Sequence, residues 1–116
     1  MAHTVCHIEI AVTDLQRAQA FYSKIFDWSF RQFGPEMIVF GSGDQHIGGF
    51  MKADRVVAGE SPSVWFEVES IEAMLDKARA AGGSVVAEKS EVPSVGWSAA
   101  ISDLDGNRIG MVQFAK

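Results

Sequence analysis

The stretch that decides the fold is "SVWFEVESIEAMLDKARAAGG", residues 63 to 83. Its first part alternates. Val64, Phe66 and Val68 point one way, and Ser63, Trp65 and Glu67 the other, which is the period of a strand with one core face. Ile71, Met74, Leu75 and Ala78 then recur at helical spacing, and Ala81-Gly82-Gly83 supplies the stop.

The same order of signals occurs once before. "VCHIEIAV", residues 5 to 12, alternates with Cys6, Ile8, Ile10 and Val12 on the core face and His7, Glu9 and Ala11 on the other. Thr13 or Asp14 is a suitable N-cap for a helix carrying Leu15, Ala18, Tyr22 and Ile25, widened by Phe21 and Phe26. Strands follow in "SFRQF", 29 to 33, and in "MIVFGSGDQHIGGFM", a hairpin turning at Gly43-Asp44. Residues 52 to 62, "KADRVVAGESP", read as a linker. After the second helix come "SVVAEK", "VGWSAAISD" and "RIGMVQF", the last two joined by the acidic turn Asp103 to Asn107.

The halves align. His7 to Val12 corresponds to Ser63 to Val68. Leu15 falls on Ile71, and Ala18 on Met74. "GDQHIGG" falls on "GNRIGM", which sets His46 on Arg108 and Gly48 on Gly110. Each half is strand-helix-strand-strand-strand. A four-stranded sheet with one helix buries one face, and two such sheets can curl into a shared concave wall. The expected class is α+β, with two βαβββ modules forming a concave, mostly antiparallel sheet. One domain spans 1–116, with module 1 at about 1–56 and module 2 at about 57–116.

Composition narrows the function classes. Hydrophobic residues make up 47% of the 116 and charged residues 22%, as in ordinary globular chains. The net charge of −5, with no basic run, argues against nucleic-acid binding. The single cysteine, Cys6, excludes an internal disulfide and reads as a small core residue. No apolar stretch reaches the roughly 18 residues of a membrane span, and no signal-peptide pattern opens the chain, so a cytoplasmic protein is expected. No phosphate loop, nucleophile elbow or dinucleotide fingerprint occurs.

Three stretches, "HIEIAVTDLQRAQAFYSKIFDW", "VWFEVESIEAMLDKARAAGGSVV" and "ISDLDGNRIGMVQF", resemble the vicinal oxygen chelate superfamily, which includes glyoxalase I, extradiol dioxygenases and the fosfomycin and bleomycin resistance proteins. The resemblance implies the paired-module fold and a homodimer. In metal-dependent members it implies four His or Glu ligands from the first and last strand of each module. Carried over by position, those places are His7, Gly48, Ser63 and Gly110. Only His7 is a good ligand, and divalent ions need several imidazole or carboxylate groups converging. The resemblance thus brings the scaffold, while the residues disfavour a divalent metal, and no cofactor is expected. A displaced set of His7, Glu9 and Glu67 is the alternative, but His7 and Glu9 stand about 7 Å apart along one strand.

The expected site residues follow from strand parity. His7, Glu9 and Glu67 are candidates for proton transfer or hydrogen bonding. Trp65, Trp97, His46 and Arg108 are candidates for ligand binding, since aromatic walls suit planar or apolar molecules. Against each stands a structural role: a backbone-bonded histidine, a rim ion pair, or rings filling the space of a lost metal site. The leading expectation is a cytoplasmic homodimer that binds a small organic molecule without the four-ligand metal centre. A metal-dependent lyase, isomerase or dioxygenase, and a non-catalytic dimeric interaction protein, are the alternatives.

Overall fold

The computed structural model describes residues 3–57 and 59–116. Its elements run β1 (Val5–Val12), α1 (Leu15–Ile25), β2 (Ser29–Gln32), β3 (Met37–Ser42), β4 (Gln45–Lys52), β5 (Ser63–Glu67), α2 (Ile71–Ala80), β6 (Ser84–Val92), β7 (Gly96–Ser102) and β8 (Arg108–Phe114). This is the α+β class with the βαβββ order expected for each half. The chain divides into two compact units, residues 7–63 and residues 1–6 with 64–116. One residue of the expected linker, Ala58, lies outside the described residues. The rest of that segment beyond Lys52 forms neither helix nor strand.

In the unit 7–63 the strands lie in the order β2-β3-β4-β1. The hairpins β2–β3 and β3–β4 are antiparallel, and β1 joins β4 in parallel. Apolar residues on alternate positions of β1, Ile8, Ile10 and Val12, pack against a core of Ile38, Phe40 and Phe50. From α1 come Leu15, Ala18 and Tyr22. Asp14 caps this helix by accepting the Arg17 N–H at 3.1 Å, so of the two expected caps Asp14 is the one used. Ile25, expected on the core stripe, is instead exposed. It is the last residue of the helix, followed by the extended C-cap Phe26. Phe26 stacks on Trp28, with ring centroids 4.5 Å apart, and Trp28 stacks on Phe40.

In the other unit the order is β5-β8-β7-β6, again with one parallel pair, β5–β8, and antiparallel hairpins. Val68, Ile71, Leu75, Ala99 and Met111 form its core. Ser70 caps α2 by accepting the Ala73 N–H, and Gln113 Oε1 accepts the Ile71 N–H at 2.9 Å. β6 runs past its expected end at Lys89 to Val92, because Ser90, Glu91 and Val92 all find partners on β7. Cys6 is half-buried. Burial first, and Glu67 second, push its thiol up, which fits the expected inert packing residue.

The register corrects the alignment of the halves by one residue. Met111 sits opposite Phe66, and Phe50 opposite Ile10, so those are the matching core pairs. Gly110 lies opposite Trp65 and Gly49 opposite Glu9. The first-module counterpart of Gly110 is therefore Gly49, not Gly48. The cause is a bulge: Phe40 faces Gly48 while Gly41 faces His46, leaving Ile47 as an extra residue on β4. Ile47 packs on the core, and the bulge reverses strand parity beyond it.

Candidate functional site

That reversal builds the principal side-chain cluster. By simple alternation from Phe50, His46 belongs to the core side. The bulge turns it onto the face that carries His7 and Glu9. There His46 Nε2 lies 2.8 Å from His7 Nδ1, and the two rings stack with centroids 5.1 Å apart at 11°. His7 Nε2 lies 3.3 Å from Glu9 Oε2. Three side chains from two parallel neighbours thus form a line: carboxylate, imidazole, imidazole. The His7 and Glu9 side chains are only 16% and 22% exposed, whereas His46 is exposed at the end of the line. Burial first, then His7 and Arg31 on β2, push the His46 pKa below the usual imidazole value. The neutral ring, with one free lone pair, is therefore favoured at pH 7.

Trp65 has a different part. A Cβ built on Gly110 would fall inside its indole, at the six-membered ring. The ring occupies the place where any side chain at 110 would stand, which answers why a mid-strand glycine is needed there. At Gly48 the obstacle is the backbone carbonyl of Ile8. At Gly49 a Cβ would press on Met37, 3.1 Å from its sulfur.

The other expected residues are dispersed. Trp97 is partly buried and packs against the core cluster of the second unit, with Lys89 Nζ 4.8 Å from its ring centroid. Lys89 also pairs with Glu72 at 2.7 Å. Arg108 opens β8 opposite Ser102 and is exposed. Glu67 ends β5, where its backbone N–H donates to the Thr4 carbonyl at 2.9 Å. A separate open depression of about 580 Å³ lies at the Val12 end of β1, rimmed by Asp14, Arg17, Asp54 and Arg55. None of the expected site residues lines it. Asp14 is committed to the helix cap, and Arg17 donates to Thr13 Oγ1. Sequence reading set His46 on the cavity-facing side together with Gly48; the structure keeps His46 beside His7 but places Gly48 opposite the core residue Ile8. Only the unequal register across the hairpin reveals the pairing with His7.

A four-ligand metal centre does not fit these residues. Of the places carried over, His7 alone has a strong ligand, and both of its nitrogens face partners. The indole fills the space at 110, and neither Gly48 nor Gly49, the register equivalent of Gly110, has a side chain. Among the described residues no group of three or more His, Cys, Asp or Glu side chains is arranged to hold an ion.

The chain is 38% identical over 73 residues to "Putative glyoxylase CFP32" of Mycobacterium bovis and of Mycobacterium tuberculosis. That match covers 63% of this chain and 28% of the length of those relatives. Among solved structures, methylmalonyl-CoA epimerase from Mycobacterium tuberculosis superposes with a TM-score of 0.76 at 19% identity, covering 97% of this chain and 88% of that one. A variant of the Streptomyces coelicolor methylmalonyl-CoA epimerase, in complex with 2-nitronate-propionyl-CoA, gives 0.77 at 15% identity with both chains fully covered. The Mn(II)-bound glyoxalase from Novosphingobium aromaticivorans gives 0.71 at 17% identity, over 97% of this chain and 39% of that one. At such identities the likeness is one of fold. The family model of the Glyoxalase/Bleomycin resistance protein/Dioxygenase superfamily matches residues 4–111, and the chain belongs to that superfamily.

Proposed function

We propose that this chain is a small-molecule-binding member of its superfamily that works without the four-ligand metal centre, with the His7–Glu9–His46 cluster forming its ligand site. The observation that carries the reading is the indole of Trp65 standing where a side chain at 110 would be. A carboxylate cannot project from that strand position while the ring remains. Within the unit 7–63 two imidazoles and one carboxylate come together in a line, a set suited to hydrogen bonding rather than to surrounding a cation. Among the described residues no helix is long and apolar enough to cross a membrane. A homodimer in the cytoplasm, with no nucleic-acid partner, completes the proposal.

The test is intrinsic tryptophan fluorescence, titrated with a panel of small organic molecules that includes acyl-CoA thioesters. Saturable binding that persists in the presence of a chelator supports the reading. Binding that vanishes with the chelator and returns with a divalent ion contradicts it.

One observation favours a second reading, proton-transfer catalysis. A carboxylate behind an imidazole fixes its orientation and stabilises the imidazolium, as general acid–base catalysis requires. Under that reading His7→Ala removes turnover of a panel member by about a hundredfold or more. Under simple binding it changes affinity alone.

A further inference from the structure

The line Glu9–His7–His46 has a direction, and hydrogen-bond chemistry fixes it. An ionised carboxylate only accepts hydrogen bonds, so His7 must present N–H from Nε2 to Glu9, 3.3 Å away. A neutral His7 then keeps its lone pair on Nδ1. That nitrogen faces His46 Nε2 at 2.8 Å, so His46 must donate from Nε2. The remaining nitrogen of a neutral His46, Nδ1, is left with a lone pair and no proton. Reversing this order needs both rings to change tautomer together and turns a His7 lone pair toward the carboxylate. The loss of a hydrogen bond to a charged group disfavours the reversed order by more than about tenfold.

Exposure points the same way. His7 is held between two partners and is mostly covered, while His46 is exposed at the outer end. Among the described residues of the unit 7–63, Arg31 from β2 and His7 from β1 are the charged or titratable groups that act on His46, and β3 has no titratable side chain.

Taking the His7–Glu9–His46 cluster as the ligand site proposed above, we infer that the atom which meets the ligand is Nδ1 of His46, presented as a hydrogen-bond acceptor, and that the site selects molecules offering it an O–H or N–H donor. His7 and Glu9 are positioning residues: they hold the tautomer and do not touch the ligand. A bare acceptor, such as an ether or a carboxylate, leaves two lone pairs facing each other and is rejected.

Two measurements test this. Histidine-ring ¹H–¹⁵N correlation spectra of the intact protein, at a pH where both rings are neutral, report the tautomers directly. The expected result is Nε2–H for both His7 and His46, with Glu9→Met mixing the tautomers of both. An Nδ1–H tautomer at His46 in the unsubstituted protein overturns the inference. The second measurement uses phenol and anisole, which match in shape and differ in the donor. Phenol should bind at least about tenfold more tightly and shift the His46 Nδ1 resonance, and His46→Phe should erase the difference. Equal binding of the pair, or a preference that survives His46→Phe, overturns the acceptor role while leaving a ligand site in place. Absence of binding by any molecule of the fluorescence panel defeats the ligand-site reading itself, with the tautomer spectra still deciding the hydrogen-bond order.

Discussion

The two modules share an order of elements and differ in what they do with it. In residues 7–63 the core is aromatic, with Phe40, Phe50, Trp28 and Tyr22 stacked or tilted against one another. In the second module it is aliphatic, around Ile71, Leu75 and Met111. The first module carries a bulge on β4 that swings His46 across to His7, whereas the β7–β8 hairpin keeps its register throughout. The second module instead lays Trp65 over Gly110. A duplicated scaffold has thus diverged at the same two strand pairs. One copy gained a polar cluster, and the other filled its equivalent position with a ring.

Substitutions can break that comparison, beginning where the effect is largest. Phe50 is fully buried and touches Tyr22, Phe30 and Phe40. Phe50→Ala should cost about 3–5 kcal/mol in denaturant unfolding, because the stacked rings cannot collapse into the space. Leu75→Ala, in the aliphatic core, should fall nearer the low end of about 2–5 kcal/mol. Equal losses would mean that the two cores pack alike.

The glycines sharpen the contrast further. Gly48→Ala drives a methyl into the Ile8 carbonyl, a backbone group that cannot rotate aside, and should cost about 3 kcal/mol. Shortening Ile8 should not rescue it. Gly110→Ala meets a side chain instead, and should cost about 2 kcal/mol. Trp65→Ala should suppress it, with a coupling of about 1–3 kcal/mol in the double-mutant cycle. Additive losses at 65 and 110 would show that the ring does not define that position.

The smallest effect concerns the acidic turn before β8. The side chain of Asn107, and then backbone N–H groups of residues 105 to 107, hold the Asp103 carboxyl below the usual carboxylate range. A carboxyl lowered in the folded state stabilises above its unfolded value, and that contribution fades as pH falls through the folded one. Asp103→Ala should therefore lower Tm slightly at pH 7 and leave it unchanged at strongly acid pH. Melting curves at several pH values check this.

How much of this could be read from the sequence depends on the scale. The element order was legible because alternation in "VCHIEIAV" and "SVWFEV" and helical spacing after each are local patterns that the core enforces. The exposure of Ile25 was not, since a helix's last turn looks like its others in sequence. The pairing of His46 with His7 was hidden for a stronger reason. A bulge adds one residue to one strand only, so neither strand alone carries its mark, and the residue beyond it changes face without any change in composition. The position of Gly110 under Trp65 was half visible. Both lay on expected cavity-facing positions, but that one ring fills the other's space depends on the parallel register of β5 and β8.

At the centre stands the proposal that this chain works without the four-ligand ion site, with packed and hydrogen-bonded side chains at those places. Isothermal titration of the purified, metal-stripped protein with Mn²⁺, Ni²⁺, Zn²⁺ and Fe²⁺ tests it most directly. The expected result is no stoichiometric, tight binding of any of the four, and no difference between the unsubstituted protein and His7→Ala. One tightly held ion per chain, lost on His7→Ala, would contradict it.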